Sequence, residues 1–285
     1  MNAIDVHTHA FPDALAERAI GELEAAADWR AVGSGTVGGL LASMDAAGVD
    51  VSVPCAIATK PDQAAGILRW CCDIRSDRIA PFPSVHPRTP DAAGWVRRIA
   101  GEGFSGLKLH PMYQDFHADD ARMDEIYGQA AEVGLAVTLH CGRDIAFPQD
   151  DNRSAPVRLG RVIDRFPHLA LICTHLGGWR SWDQVHRYLV GRGPNVYLET
   201  SFSIRFLGLR RAADLIRAHG IERVMFGTDW PWCDQNEGVQ DIGGLGLNEK
   251  ETGAILRSNA AKLLGYGCPT MENTKNSQSQ EELSA

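Results

Sequence analysis

The chain has 285 residues, of which 44% are apolar and 22% are charged. These proportions are those of an ordinary globular protein, and a chain of this length buries a sizeable core without help from disulfides. The net charge is −8 and no run of Lys and Arg occurs, so the composition argues against nucleic acid as a partner.

The N-terminal segment and the cysteines bear on cellular location. The first residues, MNAIDVHTHA, lack the basic and apolar regions of a signal peptide. No apolar stretch approaches the ~18 residues that a membrane-spanning helix needs. The 7 cysteines include no CxxC pair, which is typical of free thiols in a reducing compartment. We therefore expect a cytoplasmic protein with no membrane partner.

Short apolar runs recur along the chain and predict strands. The runs are rich in Val, Ile, Leu and Phe, as strands covered on both faces are. The predicted strands begin near Ala3, Val51, Ile79, Gly106, Ala136, Ala170, Val196 and Val224.

Segments with helical periodicity lie between and after these runs. They predict helices at residues 37–47, 63–75, 91–100, 123–133, 157–165, 182–190, 212–219 and 248–264. Repeated strand–helix alternation predicts an α/β fold, and this number of units closes into a (β/α)8 TIM barrel. A doubly wound open sheet is the alternative, but the first strand is not followed by the GxGxxG turn typical of that fold.

The sequence predicts one barrel domain over residues 1–268. An insertion at about residues 11–35, with a helix at 14–27, follows the first strand. It lies either as a lid over the catalytic end of the barrel or as a surface element that only packs. Residues 269–285 are polar, with almost no apolar side chains to bury, and we expect them to form a disordered tail.

Several histidines and one aspartate stand at or just beyond the ends of predicted strands. His7 and His9 end the first strand, and strand alternation directs both imidazoles to one side. His140, His175 and Asp229 follow three later strands. Neutral imidazoles together with a carboxylate suit Zn²⁺ and related divalent metals. The pattern therefore predicts a metal centre at the end of the barrel where the strands terminate.

Further candidates fall at the same end of the barrel. Lys108 and His110, in the run GLKLHP, lie on one side of their strand by alternation. Arg143 and Trp230 follow strands in loops, where a substrate would bind. A guanidinium suits a substrate carboxylate because it bonds both oxygens, although Arg143 is also an ordinary solvent-facing residue type. Glu199 either orients a ligand histidine or bonds neighbouring strand ends.

Five motifs occur in an order that resembles the amidohydrolase superfamily: IDVHTH, VTLHCG, ICTHLGG, FGTDWPW and NAAKLLG. More narrowly, they are similar to the amidohydrolase-related branch that includes aminocarboxymuconate semialdehyde decarboxylase and other metal-dependent decarboxylases and hydrolases. The resemblance extends from Ile4 to about Gly265. It implies the following metal ligands: His7, His9, His140 and Asp229.

The resemblance leaves the number of metals open. In mononuclear relatives the residue matching His175 is an acid/base group beside a metal-bound water, whereas in binuclear relatives it binds a second metal. Lys108 is carboxylated and bridges two metals only in the binuclear arrangement, which we consider the less favoured one. Otherwise Lys108 binds a substrate carboxylate or pairs with an acidic side chain, and His110 orients substrate or bonds within the site. We expect one divalent ion, Zn²⁺ first and Mn²⁺ second.

Two reactions need nearly the same residues. We expect a metal-dependent hydrolase that uses a metal-activated water on a small, carboxylate-bearing or cyclic substrate, with His175 or Asp229 transferring the proton. The alternative is a non-oxidative decarboxylase of an aromatic or muconate-like acid. A third reading is a non-catalytic barrel stabilised by metal. Homo-oligomers are common in the family, and the sequence leaves the oligomeric state open.

Overall fold

A computed structural model describes residues 2–265 of the chain, and the tail expected at residues 269–285 lies outside them. The strands of the described part are β1 (Ala3–Thr8), β2 (Val49–Pro54), β3 (Gly106–Leu109), β4 (Ala136–Leu139), β5 (Leu171–Cys173), β6 (Val196–Glu199) and β7 (Val224–Met225). Every pairing between them is parallel: β1 pairs with β2, and β3 to β7 form one sheet in chain order.

The third predicted strand is not a continuous strand but a segment at residues 79–82, which is held by isolated bridges to Ser52 in β2 and to Cys55 just after it. The amides of Ala80 and Phe82 each donate to a β2 carbonyl at 2.9 Å. Pro81 and Pro83 occupy the alternate positions, whose amides would face β3, and proline has no N–H to donate. A β3 amide still donates to the carbonyl of Pro83 at 2.8 Å, so the segment joins β2 to β3.

The two remaining sheet edges meet and close the barrel. The amide of Val6 in β1 donates to the carbonyl of Phe226 at 2.9 Å, and the amide of Asp229 donates to the carbonyl of His7 at 2.7 Å. With residues 79–82 counted as the strand between β2 and β3, the strands therefore form the (β/α)8 barrel that the sequence predicts.

Helices surround the barrel at the places that the periodicity predicts, with small shifts at their ends. They are α1 (Asp13–Ala27), α2 (Val37–Ala47), α3 (Ala64–Ile74), α4 (Ala92–Gly101), α5 (Asp124–Val133), α6 (Pro156–Arg165), α7 (Trp182–Tyr188), α8 (Ile204–Leu207), α9 (Leu209–His219), α10 (Gln235–Gly243), α11 (Glu249–Gly253) and α12 (Asn259–Leu264). A π-helical turn at Ala254–Ser258 joins the last two. The short α8 and α10 were not anticipated.

The strands are covered on both faces, and this is what positions the functional side chains. Every residue of β1 is buried, so alternate side chains face the helices or the barrel interior. The interior side chains at the strand ends are polar, and they include His7 and Lys108. Within residues 2–265 we find no helix whose length and hydrophobicity would let it cross a bilayer. The six cysteines of this part are free thiols.

Candidate active site

The ends of β1 and β7 bring together three of the predicted metal ligands. The Nε2 atom of His9 lies 3.1 Å from Oδ1 of Asp229, and the Nε2 atom of His7 lies 3.4 Å from the same oxygen. The three ligand atoms fall within 4.8 Å of one another. These side chains can therefore hold one metal ion between them.

His140 and His175 lie beside this group. The Nε2 atom of His175 is 3.2 Å from the Nδ1 atom of His140, and the ring centroid of His175 is 5.4 Å from that of His7. His140 is thus joined to the group through His175 and does not share the 4.8 Å cluster of His7, His9 and Asp229.

The outer nitrogens of His7 and His9 are held by oxygen atoms. The Nδ1 atom of His7 is 3.1 Å from Oε1 of Glu199, and the Nδ1 atom of His9 is 3.0 Å from the carbonyl oxygen of Cys55. Ionised carboxylates and carbonyls only accept hydrogen bonds, so this network assigns the ring proton to Nδ1. The Nε2 lone pairs of both rings therefore point toward Asp229, and hydrogen bonding of the outer nitrogen is the usual way in which ligand histidines are oriented.

The same reasoning applies to the other two rings. The Nδ1 atom of His175 donates to the carbonyl oxygen of Ser201 at 3.1 Å, and the Nε2 atom of His140 donates to that of Arg143 at 3.2 Å. Each ring consequently turns a lone pair toward the other and toward the interior of the site. Three imidazoles and a carboxylate, those of His7, His9, His140 and Asp229, are donors of the kind that suits a divalent metal, and His175 is a fourth imidazole beside them.

The electrostatics of the site favour neutral imidazoles and ionised carboxylates. Burial and the neighbouring Lys108 lower the pKa of His7 to about 4. Burial alone would raise the pKa of Asp229, but His7 and His9 hold that pKa well below its usual range. Glu199 is buried as well, and its contacts with His7 nevertheless lower its pKa to about 2. These are the protonation states that metal binding requires.

Lys108 and His110 both face this end of the barrel, as alternation predicts. Lys108 is fully buried, and its Nζ atom lies 2.8 Å from Nε2 of His7. The ring of His110 stacks on that of His140 with centroids 4.1 Å apart, and its Nε2 atom is 3.3 Å from Oδ2 of Asp144.

The structure places Arg143 and Trp230 differently from the residues above. The side chain of Arg143 is exposed, and only its carbonyl oxygen contacts the site, through His140. Trp230 is buried, and its indole lies so close to Gly33 of the insertion that a Cβ atom there would clash.

The backbone is strained where His175 and Asp229 project into the site. His175 has φ 58°, Leu176 has φ 49° and Asp229 has φ 68°, all in the left-handed region. Such positions cost roughly 1–3 kcal/mol each in a residue other than glycine, and they persist where surrounding contacts hold them. Here Oε1 of Glu199 accepts the amide of His175 at 2.8 Å.

Sequence reasoning missed three polar side chains of this region: Asp5, Asp144 and Ser201. Asp5 lies below His7 and accepts hydrogen bonds from Gln235 Nε2 at 2.8 Å and from the amide of His7 at 3.1 Å. Burial raises the pKa of Asp5 to about 7. Alternation could have found it, because Asp5 precedes His7 by two residues. Asp144 and Ser201 lie in irregular segments that carry no such signal.

Comparison with known proteins places the chain in a family. The sequence profile of the amidohydrolase family matches residues 4–266. A gamma-resorcylate decarboxylase from Rhodococcus jostii is 27% identical over 247 residues, which cover 70% of this chain and 75% of that protein. The chain belongs to the amidohydrolase family, as its motifs predict, and it is an enzyme of the hydrolase or decarboxylase type.

Solved structures share the fold. An uncharacterised TIM-barrel protein from Bordetella bronchiseptica superimposes with a TM-score of 0.73 and 20% identity, covering 93% of this chain and 99% of that one. A 5-carboxyvanillate decarboxylase from Novosphingobium aromaticivorans with bound manganese has a TM-score of 0.66 and 15% identity, covering 92% and 97% of the two chains. At these identities the likeness establishes the barrel.

Proposed function

We propose that this protein is a metal-dependent, non-oxidative decarboxylase of a small aromatic acid. The observation that carries the proposal is the position of His175: its ring centroid lies 5.4 Å from that of His7, its Nε2 atom lies 3.2 Å from Nδ1 of His140, and its Nδ1 atom is held by Ser201. An imidazole held in this way next to a metal site is suited to proton transfer.

We further propose that His7, His9, His140 and Asp229 bind one divalent ion. Imidazole and carboxylate donors suit Zn²⁺ first, with Mn²⁺ as the second candidate. When bound, the ion supplies positive charge that neutralises a substrate carboxylate and an adjacent oxygen. Lys108 already lies against His7, and we propose that its ammonium turns to the substrate carboxylate when the site is loaded.

The chain's own residues then have separate tasks. Loss of CO2 breaks the bond between the carboxylate and the ring carbon and leaves the electron pair on that carbon. One proton must replace the lost carboxylate. His175 takes up a proton from solvent at Nε2 before the reaction, while Nδ1 keeps its hydrogen bond to Ser201, and it delivers that proton from Nε2 to the ring carbon. Burial of the polar strand ends excludes bulk water from the reacting carbon.

Decarboxylation is preferred to the hydrolysis that the sequence motifs put first. The curated relatives that support it, at 27% and 25% identity, are both gamma-resorcylate decarboxylases. Hydrolysis needs the same histidines to activate water, so the geometry of the ligand group does not separate the two reactions. The relatives favour decarboxylation, which the sequence motifs put second.

The test is CO2 release from the full-length protein after reconstitution with Zn²⁺ or Mn²⁺. The substrates are 2,6-dihydroxybenzoate and other hydroxylated benzoates, with a parallel panel of lactones and amides. We expect CO2 and the decarboxylated phenol in equal amounts, dependent on the added metal. Ring opening or amide hydrolysis without CO2 would establish the hydrolase instead, and no turnover on either panel with metal bound would support a non-catalytic barrel.

A further inference from the structure

A second polar cluster lies beside the proposed metal ligands, and the function described above does not use it. It consists of His110 after β3, Asp144 in the loop after β4, and the rings of Tyr113 and Phe147; we name it the His110–Asp144 subsite. The side chains of His110 and Asp144 are only 5% and 12% exposed. Because His110 stacks on His140, the subsite is in direct contact with a proposed metal ligand.

The hydrogen bonds of the subsite leave an acceptor free. The amide of Tyr113 approaches Nδ1 of His110 at 3.5 Å, which assigns the ring proton to Nε2, 3.3 Å from Oδ2 of Asp144. The other carboxylate oxygen of Asp144 accepts the amide of Ala146 at 2.8 Å. Each carboxylate oxygen accepts about two hydrogen bonds, so Oδ2 retains capacity for another donor.

No Arg or Lys neutralises this carboxylate within the described part of the chain. The ion-pair partners of Asp144 there are the imidazoles of His110 and His140, at 3.3 and 3.9 Å. The ring of His110 accepts the amide of Tyr113 at Nδ1 and so carries a proton only on Nε2, which makes the imidazole that bonds Asp144 neutral. Asp144 therefore presents an acceptor that repels a second carboxylate and attracts a hydrogen-bond donor.

Aromatic rings form the wall next to this acceptor. Tyr113 contacts His110 edge to face at 4.6 Å between centroids, and Phe147 contacts Tyr113 at 5.0 Å. Both rings are partly exposed. Burial, and after it the charges of Asp144 and Asp229, raise the pKa of Tyr113, so its phenol stays protonated. Edge-to-face rings of this kind suit the flat face of a substrate ring.

We infer that the His110–Asp144 subsite binds a hydroxyl group, or another hydrogen-bond donor, on the edge of the substrate ring that lies away from the reacting carboxylate. This inference rests on the proposed function for the identity of the substrate as a ring acid. Repulsion by Asp144 turns the substrate carboxylate toward Lys108, and the donor on the far edge bonds Oδ2. Asp144 thus determines both which acids bind and how they are oriented.

Binding measurements test the subsite without requiring turnover. Calorimetry on the metal-loaded protein would compare benzoate with 3-hydroxybenzoate and 4-hydroxybenzoate. We expect at least one hydroxybenzoate to bind about tenfold tighter than benzoate, since a hydrogen bond to a charged group is worth that much. Asp144→Asn keeps the shape but removes the charge. It should reduce this advantage from about tenfold to about threefold, because charge-assisted hydrogen bonds are roughly twice as strong as neutral ones.

Asp150→Asn is the matched control, because Asp150 is an exposed carboxylate on the same loop. It should leave both affinities unchanged. The inference is overturned if wild-type protein binds all three acids equally, if Asp144→Asn retains the full advantage, or if it weakens benzoate and hydroxybenzoates alike. Metal content is measured on the same samples, and loss of metal from Asp144→Asn would identify Asp144 as a ligand instead. A protein that releases no CO2 can still pass this test, and an active decarboxylase can fail it.

Discussion

The Nε2 atom of His175 lies 3.2 Å from the Nδ1 atom of His140, although the outer nitrogen of each ring already donates to a backbone carbonyl. Two neutral rings in these tautomers would face each other with lone pairs, which repel. The contact is therefore favourable if an added proton or a metal cation shares the space between them, or if His175 instead accepts at Nδ1 from the Ser201 hydroxyl, 2.9 Å away, and carries its own proton on Nε2. This contact links the proposed proton donor directly to a proposed metal ligand.

Removal of a proposed ligand should empty the metal site. We expect His9→Ala to reduce bound metal to background, because His9 supplies one arm of the His7–His9 pair, and His140→Ala to reduce it strongly. Metal analysis of protein purified without chelator provides the measurement, and His117→Ala, at an exposed position, should retain one equivalent. Full metal content in His140→Ala would remove His140 from the ligand set.

Replacement of His175 should separate metal binding from catalysis. His175→Gln should keep its metal and lose turnover by about 10²–10⁴-fold, the usual contribution of a general acid or base. Metal content and CO2 release are measured on the same preparation. If His175→Gln loses metal as completely as His9→Ala does, His175 is a ligand and its role as proton donor is wrong.

Glu199 should act on the metal through His7. Its carboxylate accepts the Nδ1 proton of His7, and substitution of such a partner typically costs about 10–100-fold in metal affinity. We expect Glu199→Gln to show this loss in a competition titration with a chelator. Glu125→Gln, at an exposed position on α5, should bind metal as wild type does. Equal affinities in the two variants would show that Glu199 serves only to bond neighbouring strand ends.

The positions of the histidines were predictable because they depend on periodicity alone. Strand alternation places His7 and His9 on one side, and parallel strands end at one edge, so distant residues such as His175 and Asp229 meet there. The capping box of Asn248 and Glu251 and the left-handed Gly265 were predictable from local pattern as well, and all are present.

Features that depend on the path of an irregular loop could not be predicted. Asp144 reaches His110 because of the path that the irregular loop after β4 takes. No periodicity in the sequence predicts the path of such a loop. Gly33 and Trp230 meet through a contact that is non-local in sequence. The segment at residues 79–82 has the apolar pattern of a strand, but Pro81 and Pro83 have no N–H to donate, so its pairing is limited to isolated bridges.

His219 should make stability depend on pH. It is fully buried, its Nε2 atom donates to the carbonyl of Val196 at 3.0 Å, and burial lowers its pKa to about 4 from an ordinary value of 6.5. The unfolded chain takes up a proton at this histidine more readily than the folded chain does. The contribution of His219 to the free energy of unfolding is therefore complete above about pH 7 and is lost as the pH falls from 6.5 toward 4. This lowering of the pKa corresponds to a loss of about 3 kcal/mol in the free energy of unfolding once the pH is below 4.

The measurement is the free energy of unfolding by denaturant at pH 7.5 and pH 5. Other buried histidines add to the wild-type slope, so the informative quantity is the difference between wild type and His219→Gln, which can still donate to Val196. We expect the variant to lose less stability on acidification than wild type. Identical pH slopes in the two proteins would show that His219 keeps an ordinary pKa in the fold.

The insertion should influence the metal site through Trp230. The amide of Val32 donates to the carbonyl of Pro231 at 2.7 Å, and Trp29 Nε1 donates to that of Trp232 at 3.1 Å, so the insertion is fastened to the segment that follows Asp229. At Gly33 a Cβ atom would clash with the indole of Trp230, which is buried and cannot move aside freely. Gly33→Ala should therefore cost about 1–3 kcal/mol of stability, as overpacking does.

The same change should weaken metal binding, because a displaced Trp230 shifts its neighbour Asp229. Thermal unfolding and a chelator titration measure the two effects. Gly21→Ala on α1 is the matched control: its Cβ would meet no atom within 4 Å, and alanine in a helix interior should stabilise the protein by about 0.5–1 kcal/mol. If Gly33→Ala loses stability but binds metal as tightly as wild type, the insertion packs on the barrel without positioning Asp229. Unchanged stability would mean that the contact between Gly33 and Trp230 is loose in solution.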